Sequence, residues 1–214
     1  YCVVPYVRGP ERSRTPDAIV AEVRALAAGG VHEVTLLGQN VNAYGLDRRR
    51  AGERDAADFA TLLRVLDAEG GVARLRFMTS HPKDLSDALV AAIADLPTVC
   101  EHVHLPLQSG SDAVLAAMRR GYHAEEYLER VAALRAAVPD VAITTDLIAG
   151  FPGESEADFA ATLEVVAAAG FEGAFTFVYS PRDGTAAATL PGQVPADVRR
   201  ERVQRLIALT QELA

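Results

Sequence analysis

The sequence predicts an α/β protein whose strands form part of a parallel barrel, and three observations lead there. Alanine-rich amphipathic runs alternate with short runs of Val, Leu, Ile and Phe along the 214 residues. That order calls for parallel strands joined by right-handed crossovers, which leaves an open doubly wound sheet or a barrel. Polar and special residues then follow nearly every strand, whereas a doubly wound sheet would concentrate them at one switch point. About five strands are visible, fewer than a closed eight-stranded barrel needs.

The elements follow in order. Thr15-Pro16-Asp17 starts a helix, with Thr15 as N-cap, Pro16 at the first helical position and an acid at the positive dipole end. It runs to Gly29-Gly30, and Ile19, Val23, Leu26 and Ala27 recur at helical spacing as one buried face. Glu33 to Gly38 has the composition of a strand buried on both faces. Helices are then expected near Asp58 to Ala68 and Leu85 to Ala94, with strands near Leu75 to Thr79 and Val103 to Leu107. Helices near Asp112 to Arg119 and Glu125 to Ala137 precede a strand at Val141 to Ile148. Ser155 caps the next helix with Asp158 as its box partner, a last strand spans Phe175 to Tyr179, and a terminal helix begins near Asp197.

Composition narrows the function classes. No apolar stretch approaches the roughly 20 residues that span a bilayer, so a soluble protein without membrane contact is expected. A net charge of −8 argues against gripping nucleic acid mainly by electrostatics, although Arg8, Arg12 and Arg14 form one local basic group and Arg48, Arg49, Arg50 and Arg54 another. The second group reads more simply as a solvated loop. Two cysteines make a disulfide framework unexpected and point to a reducing cytoplasm; Cys100 reads as a buried thiol, while Cys2 lies beside a polar loop. The start Tyr1-Cys2-Val3-Val4 carries neither an initiator Met nor a signal pattern, so an excised piece of a longer protein is expected. Gly150-x-x-Gly153 lacks a third glycine and a Gly-Lys-Ser/Thr ending, which weakens nucleotide-phosphate binding.

Specific blocks carry a family resemblance. Tyr1 to Gly9 resembles the end of the signature Cys-x3-Cys-x2-Cys-x2-Pro-x2-Arg-Gly, with Cys2 as its third cysteine. The likeness continues through Ser13-Arg14, Leu36 to Gly45, Thr79 to Pro82, His104 to Asp112, Thr145 to Glu154 and Ser180 to Thr185. The chain is thereby identified as a member of the radical S-adenosylmethionine (SAM) methylthiotransferases, most like their tRNA-modifying MiaB group, because Gly38-Gln39-Asn40-Val41-Asn42-Ala43-Tyr44-Gly45 matches that branch. The resemblance implies a partial (β/α)6 TIM-like radical-SAM barrel over residues 1–214, with the first strand and cluster loop truncated. It also implies an N-terminal methylthiotransferase domain and a C-terminal TRAM-like RNA-binding domain outside this chain.

The chemistry implied is that of the family. Cys2 would be one of three thiolates on a [4Fe-4S] cluster whose open iron takes SAM, and a second [4Fe-4S] cluster would sit in the N-terminal domain. An electron from the first cluster cleaves SAM to a radical, and the product is a methylthio group on N6-isopentenyladenosine beside the tRNA anticodon. Alternative substrates are threonylcarbamoyl-adenosine in tRNA and a ribosomal-protein aspartate. The resemblance places Gly38, Gln39 and Asn40 near the methionine amino group, and Gln108 and Ser109 near the ribose or carboxylate. Arg119 or Arg120 would pair with that carboxylate. Ser80, Asp146 and Tyr179 complete the cofactor set. Asp146, on an otherwise apolar and Thr-containing strand, requires a partner. Ile148 and Phe151 could pack on adenine, with core packing the simpler reading for Ile148, and Glu154 could cap the next helix with Ser155. His81 reads as a fixed turn and His104 as a satisfied core residue. An electron-donor protein, a monomeric state and a catalytically inactive isolated fragment complete the expectations.

Overall fold

The computed structural model describes residues 3–78 and 80–213, apart from the side chains of Pro5 and Tyr6. In chain order the elements are α1 (Val4–Arg8), α2 (Pro16–Ala28), β1 (Glu33–Leu36), α3 (Leu46–Arg50), α4 (Phe59–Glu69), β2 (Arg74–Phe77), α5 (Asp87–Asp95), β3 (His102–His104), α6 (Asp112–Ala117), α7 (Ala124–Ala137), β4 (Ala142–Ala149), α8 (Glu156–Ala169), β5 (Gly173–Val178) and α9 (Ala196–Leu213). The expected alternation is present. Sequence reading missed α1 and α3, both one-turn pieces inside stretches read as polar loops. No described helix is long and apolar enough to cross a membrane.

The chain divides into two compact units. One comprises Glu11–His104 and Ala133–Ala142. Here Thr15 caps α2 by accepting from the Ala18 amide, and Pro16 occupies the first turn. Val20 and Val23 are buried, while Leu26 is exposed although its spacing places it on the core face. β1 and β2 pair in parallel, Glu33 beside Arg74 and Leu36 beside Phe77. The expectation that β1 is buried on both faces fails, because Glu33 and Thr35 face solvent. Glu33 holds Arg74 at 2.6 Å and Arg76 at 3.1 Å across the strands, so one face of this pair is ionic. The opposite face feeds the core, where Phe59 of α4 meets Phe77 edge-on at 5.2 Å and Leu62, Leu63 and Leu66 are buried. Cys100 is half-buried rather than buried, since its amide follows the edge of β2 as donor to the Leu75 carbonyl.

The other unit comprises Tyr1–Pro10, Leu105–Ala132 and Ile143–Ala214. β4 and β5 pair in parallel, with Asp146 beside Phe175 and Ile148 beside Phe177. Burial alternates along β4: Ile143, Thr145, Leu147 and Ala149 are buried, and the residues between them are half-buried. The chain from Leu105 to Gln108 runs alongside β4, the Leu105 amide donating to Thr144 and the Gln108 amide to Asp146. α8 approaches this segment closely, since a side chain at Gly110 would stand 2.7 Å from the Ala161 carbonyl. The Gly110 amide and the Ser109 hydroxyl both meet the Thr162 hydroxyl, at 3.0 and 3.2 Å. Ser155 and Asp158 form the expected capping box, and Asp158 also accepts from Ser111 at 2.6 Å.

Candidate functional site

In the unit containing β1 and β2, the expected site residues lie just past the two parallel strands. Gly38 and Gln39 are exposed, and Asn40 is half-buried. The Asn40 amide nitrogen donates to Asp84 at 2.7 Å, which orients the side chain because a carboxylate only accepts. Asn40 Oδ1 is left buried without a partner. Beyond it, Asn42 grips the backbone of His81, donating to its carbonyl at 3.0 Å and accepting from its amide at 2.8 Å. The loops after β1 and β2 are therefore stitched together by two carboxamides, Asn42 on the His81 backbone and Asn40 on Asp84. Ser80 is buried with its hydroxyl unpartnered. His81 caps the short 3-10 turn Pro82–Asp84, the fixed-turn role expected of it, and His104 is buried with a partner.

In the other unit, two of the predicted residues hold unusual backbone conformations. Gln108 has φ 71° and Arg119 φ 57°, which makes them the non-glycine residues with positive φ among those described. Such a conformation costs on the order of 1 to 3 kcal/mol and persists only where its surroundings fix it. Gln108 is fixed by Asp146 and Ile148, which take its amide and donate to its carbonyl at 2.8 and 2.9 Å. Asp146 is half-buried and has a partner, as required of an acid on this strand. The arginine pair separates cleanly. Arg120 is occupied, reaching the Pro106 carbonyl at 3.3 Å and lying 5.5 Å from the centre of the Tyr122 ring, while Arg119 is exposed. Ser109 is fully buried, its hydroxyl also accepting from the Ser111 amide, so its visible work is to seat α8.

Tyr179 ends β5. Its ring meets Phe151 edge-on at 5.2 Å within a cluster with Val114, Met118 and Ala187, so Phe151 is a core residue, and the half-buried Ile148 packs on that cluster. Its hydroxyl is buried and unpartnered, and burial raises its pKa, keeping it a neutral phenol.

Sequence reasoning missed the residues that hold these strand ends. Glu154 does not simply cap α8. Its carboxylate receives the Gly150 amide at 2.9 Å and Arg202 of α9 at 2.7 Å, with the two side chains only 1% and 5% exposed. Burial pushes its pKa up, and the Gly150 amide and Arg202 oppose that shift. One turn earlier, Arg199 donates to the Tyr179 carbonyl at 2.5 Å. Gly150, at φ 79°, lies directly under Arg199, where a methyl group would approach Cγ to 2.1 Å. The i, i+3 spacing of Arg199 and Arg202 was a visible signal, but Glu154 lies 48 residues away in sequence.

The chain belongs to the radical SAM superfamily, whose family model matches residues 1–166. Within that class it is similar over its full length to tRNA-2-methylthio-N(6)-dimethylallyladenosine synthases. It is 56% identical to that of Caldicellulosiruptor saccharolyticus, 55% to that of Moorella thermoacetica and 54% to that of Acidothermus cellulolyticus. It spans 44%, 47% and 42% of these relatives, less than half of each. Among solved structures it resembles coproporphyrinogen III oxidase (HemN) of Escherichia coli, a radical SAM enzyme, at TM-score 0.67 and 15% identity over 92% of this chain and 45% of that one. A radical SAM methyltransferase from Sphaerobacter thermophilus follows at TM-score 0.54 and 17% identity, over 97% of this chain and 58% of that one. The α/β fold expected as a partial radical-SAM barrel is the fold these proteins share.

The superfamily implies a [4Fe-4S] cluster and SAM. Cys2, the expected cluster ligand, lies outside the described residues. In the unit of β1 and β2 the Asn40 Oδ1 is an acceptor of the kind an ammonium needs and the Ser80 hydroxyl can donate or accept; in the other unit the Tyr179 hydroxyl can do either. Buried polar atoms of this kind are ordinarily paired, and Arg49, Arg199 and Arg202 each also bury an unpartnered Nε.

Proposed function

We propose that the protein containing this chain methylthiolates N6-isopentenyladenosine beside the anticodon of tRNA, by a radical SAM mechanism. The observation that carries the reading is 53 to 56% identity along the chain to relatives bearing that activity's name. When bound, the cluster supplies the electron for SAM cleavage, and SAM supplies the hydrogen-abstracting radical and the methyl group. Cys2 would provide one cluster thiolate, and a second [4Fe-4S] cluster would be held by an N-terminal domain. Asn40 would accept from the SAM ammonium, and Ser80 and Tyr179 would satisfy further polar atoms. Arg119 would meet the carboxylate, Asp146 and Gln108 the ribose side, and Gly38 and Gln39 would let the backbone approach. Tyr179 stays protonated at neutral pH and so can donate. Its ring is held in a buried cluster with Phe151 and Met118.

The acidic charge fits tRNA contact made largely through other domains, including a C-terminal TRAM-like one, in a cytoplasmic monomer served by an electron-donor protein. The test is reconstitution of the full-length protein with iron and sulfide, followed by mass analysis of tRNA nucleosides. The methylthio product is expected; active SAM cleavage with unchanged tRNA would overturn the substrate.

A further inference from the structure

The carboxamide of Asn40 is engaged at one end. Its nitrogen donates to Asp84 Oδ2 at 2.7 Å, and its oxygen lies buried without a partner. A carboxamide turned over about its last bond exchanges oxygen for nitrogen with almost no change of shape. A carboxylate decides between the two orientations, because it accepts and cannot donate. Turned over, Asn40 would set its oxygen against that of Asp84 and present N–H groups where an acceptor now stands.

Asp84 is itself held. It ends the 3-10 turn Pro82–Asp84, where its amide donates to the His81 carbonyl at 3.0 Å and its carbonyl accepts from the Ser86 amide at 3.1 Å. The His81 backbone is gripped in turn by Asn42, two residues on from Asn40. The carboxylate therefore stands on a turn braced against the very loop whose side chain it orients. Its charge adds a second effect. A hydrogen bond from an amide N–H to an ionised acceptor shifts electron density toward the amide oxygen, which makes that oxygen the better acceptor for a cation. We propose that Asp84 is a positioning residue for SAM: it keeps the Asn40 oxygen turned to accept, and so sets the affinity for the SAM ammonium without touching SAM. This rests on the reading above in which Asn40 accepts from that ammonium.

The test uses the full-length, cluster-reconstituted enzyme carrying Asn40→Ala, Asp84→Ala, both together, or Asp84→Asn. Equilibrium binding is measured for SAM and for its analogue in which hydrogen replaces the α-amino group. Asp84→Ala should weaken SAM about tenfold and the analogue less than about twofold, and should add less than about twofold to the loss caused by Asn40→Ala. Asp84→Asn keeps the size and an acceptor but not the charge. It should show the same selective loss to a smaller degree, and it carries the test if Asp84→Ala does not fold. Equal losses for SAM and the analogue overturn the proposal, because they mark a folding defect, and so does a double variant in which the two single losses simply multiply. If Asn40→Ala leaves SAM binding unchanged, the role of Asn40 falls and that of Asp84 with it; if only Asp84→Ala leaves it unchanged, Asp84 alone falls. The expected affinities together with unmodified tRNA defeat the proposed reaction and uphold the role of Asp84.

Discussion

Arg202 and Glu154 form a 2.7 Å ion pair in which both side chains are almost wholly withdrawn from solvent. Glu154 receives the Gly150 amide on the same oxygen that takes Arg202. The pair therefore joins the terminal helix to the turn that follows β4. Removing one member leaves a buried charge without its counterpart, so Arg202→Ala should destabilise the protein by about 3 to 5 kcal/mol in chemical denaturation. A loss below about 1 kcal/mol would mean that Glu154 finds water or another donor.

Gly150 lies under Arg199 in a left-handed conformation. Gly150→Ala should destabilise through both backbone strain, roughly 1 to 2 kcal/mol, and collision with the arginine stem. Adding Arg199→Ala should recover only the collision part, which a double-mutant cycle of unfolding free energies can read. Full recovery would show that the backbone tolerates alanine.

Asp158 carries a lowered pKa, first because the Ser111 hydroxyl donates to it and then because Ser155 does. A carboxylate depressed in the folded state stabilises that state above its ordinary value of 3.8 and loses the contribution as pH falls through the lower folded value. Wild type should exceed Asp158→Asn in stability at neutral pH, and the difference should shrink below about pH 4. Denaturation curves at several pH values test this, and a gap that widens on acidification would reverse the assignment.

The unpartnered hydroxyl of Ser80 separates binding from folding. Ser80→Ala removes a buried group that bonds to nothing in the protein, so unfolding should change by less than about 0.5 kcal/mol or become harder. SAM affinity of the reconstituted full-length enzyme should fall, as equilibrium binding would show. Unchanged affinity would remove Ser80 from the cofactor set.

Asn42 both donates to and accepts from His81, which an aspartate cannot do. Asn42→Asp should faithfully keep the size and lose about 1 to 3 kcal/mol of local stability. Faster hydrogen exchange at the His81 amide is the expected signature; unaltered exchange would contradict the brace.

Much of this architecture was readable from local pattern. The Thr15 and Ser155 caps, the alternation of elements and the polar residues after the strands all follow from spacing of a few residues. What escaped depends on partners distant in sequence. Leu26 fits a helical stripe, yet nothing local shows that the stripe's edge lies beyond the core. Glu33 looks like the edge of an apolar run until Arg74 and Arg76 arrive from the next strand. At the expected site, motif likeness pointed to Asn40 and to Arg119 or Arg120, but the two asparagines of one short loop divide the work. Only the fold reveals that Asn42 holds the loop while Asn40 keeps an oxygen free. Arg119 and Arg120 are likewise adjacent and chemically alike, and the Pro106 carbonyl tells them apart.

The grip of Asn42 on His81 has a thermodynamic consequence for ligand capture. Two loops locked to each other before any ligand arrives have already surrendered their freedom of motion. The entropy lost in ordering that binding surface belongs to folding, and a ligand seated against Asn40 and Ser80 need not lose it again on association.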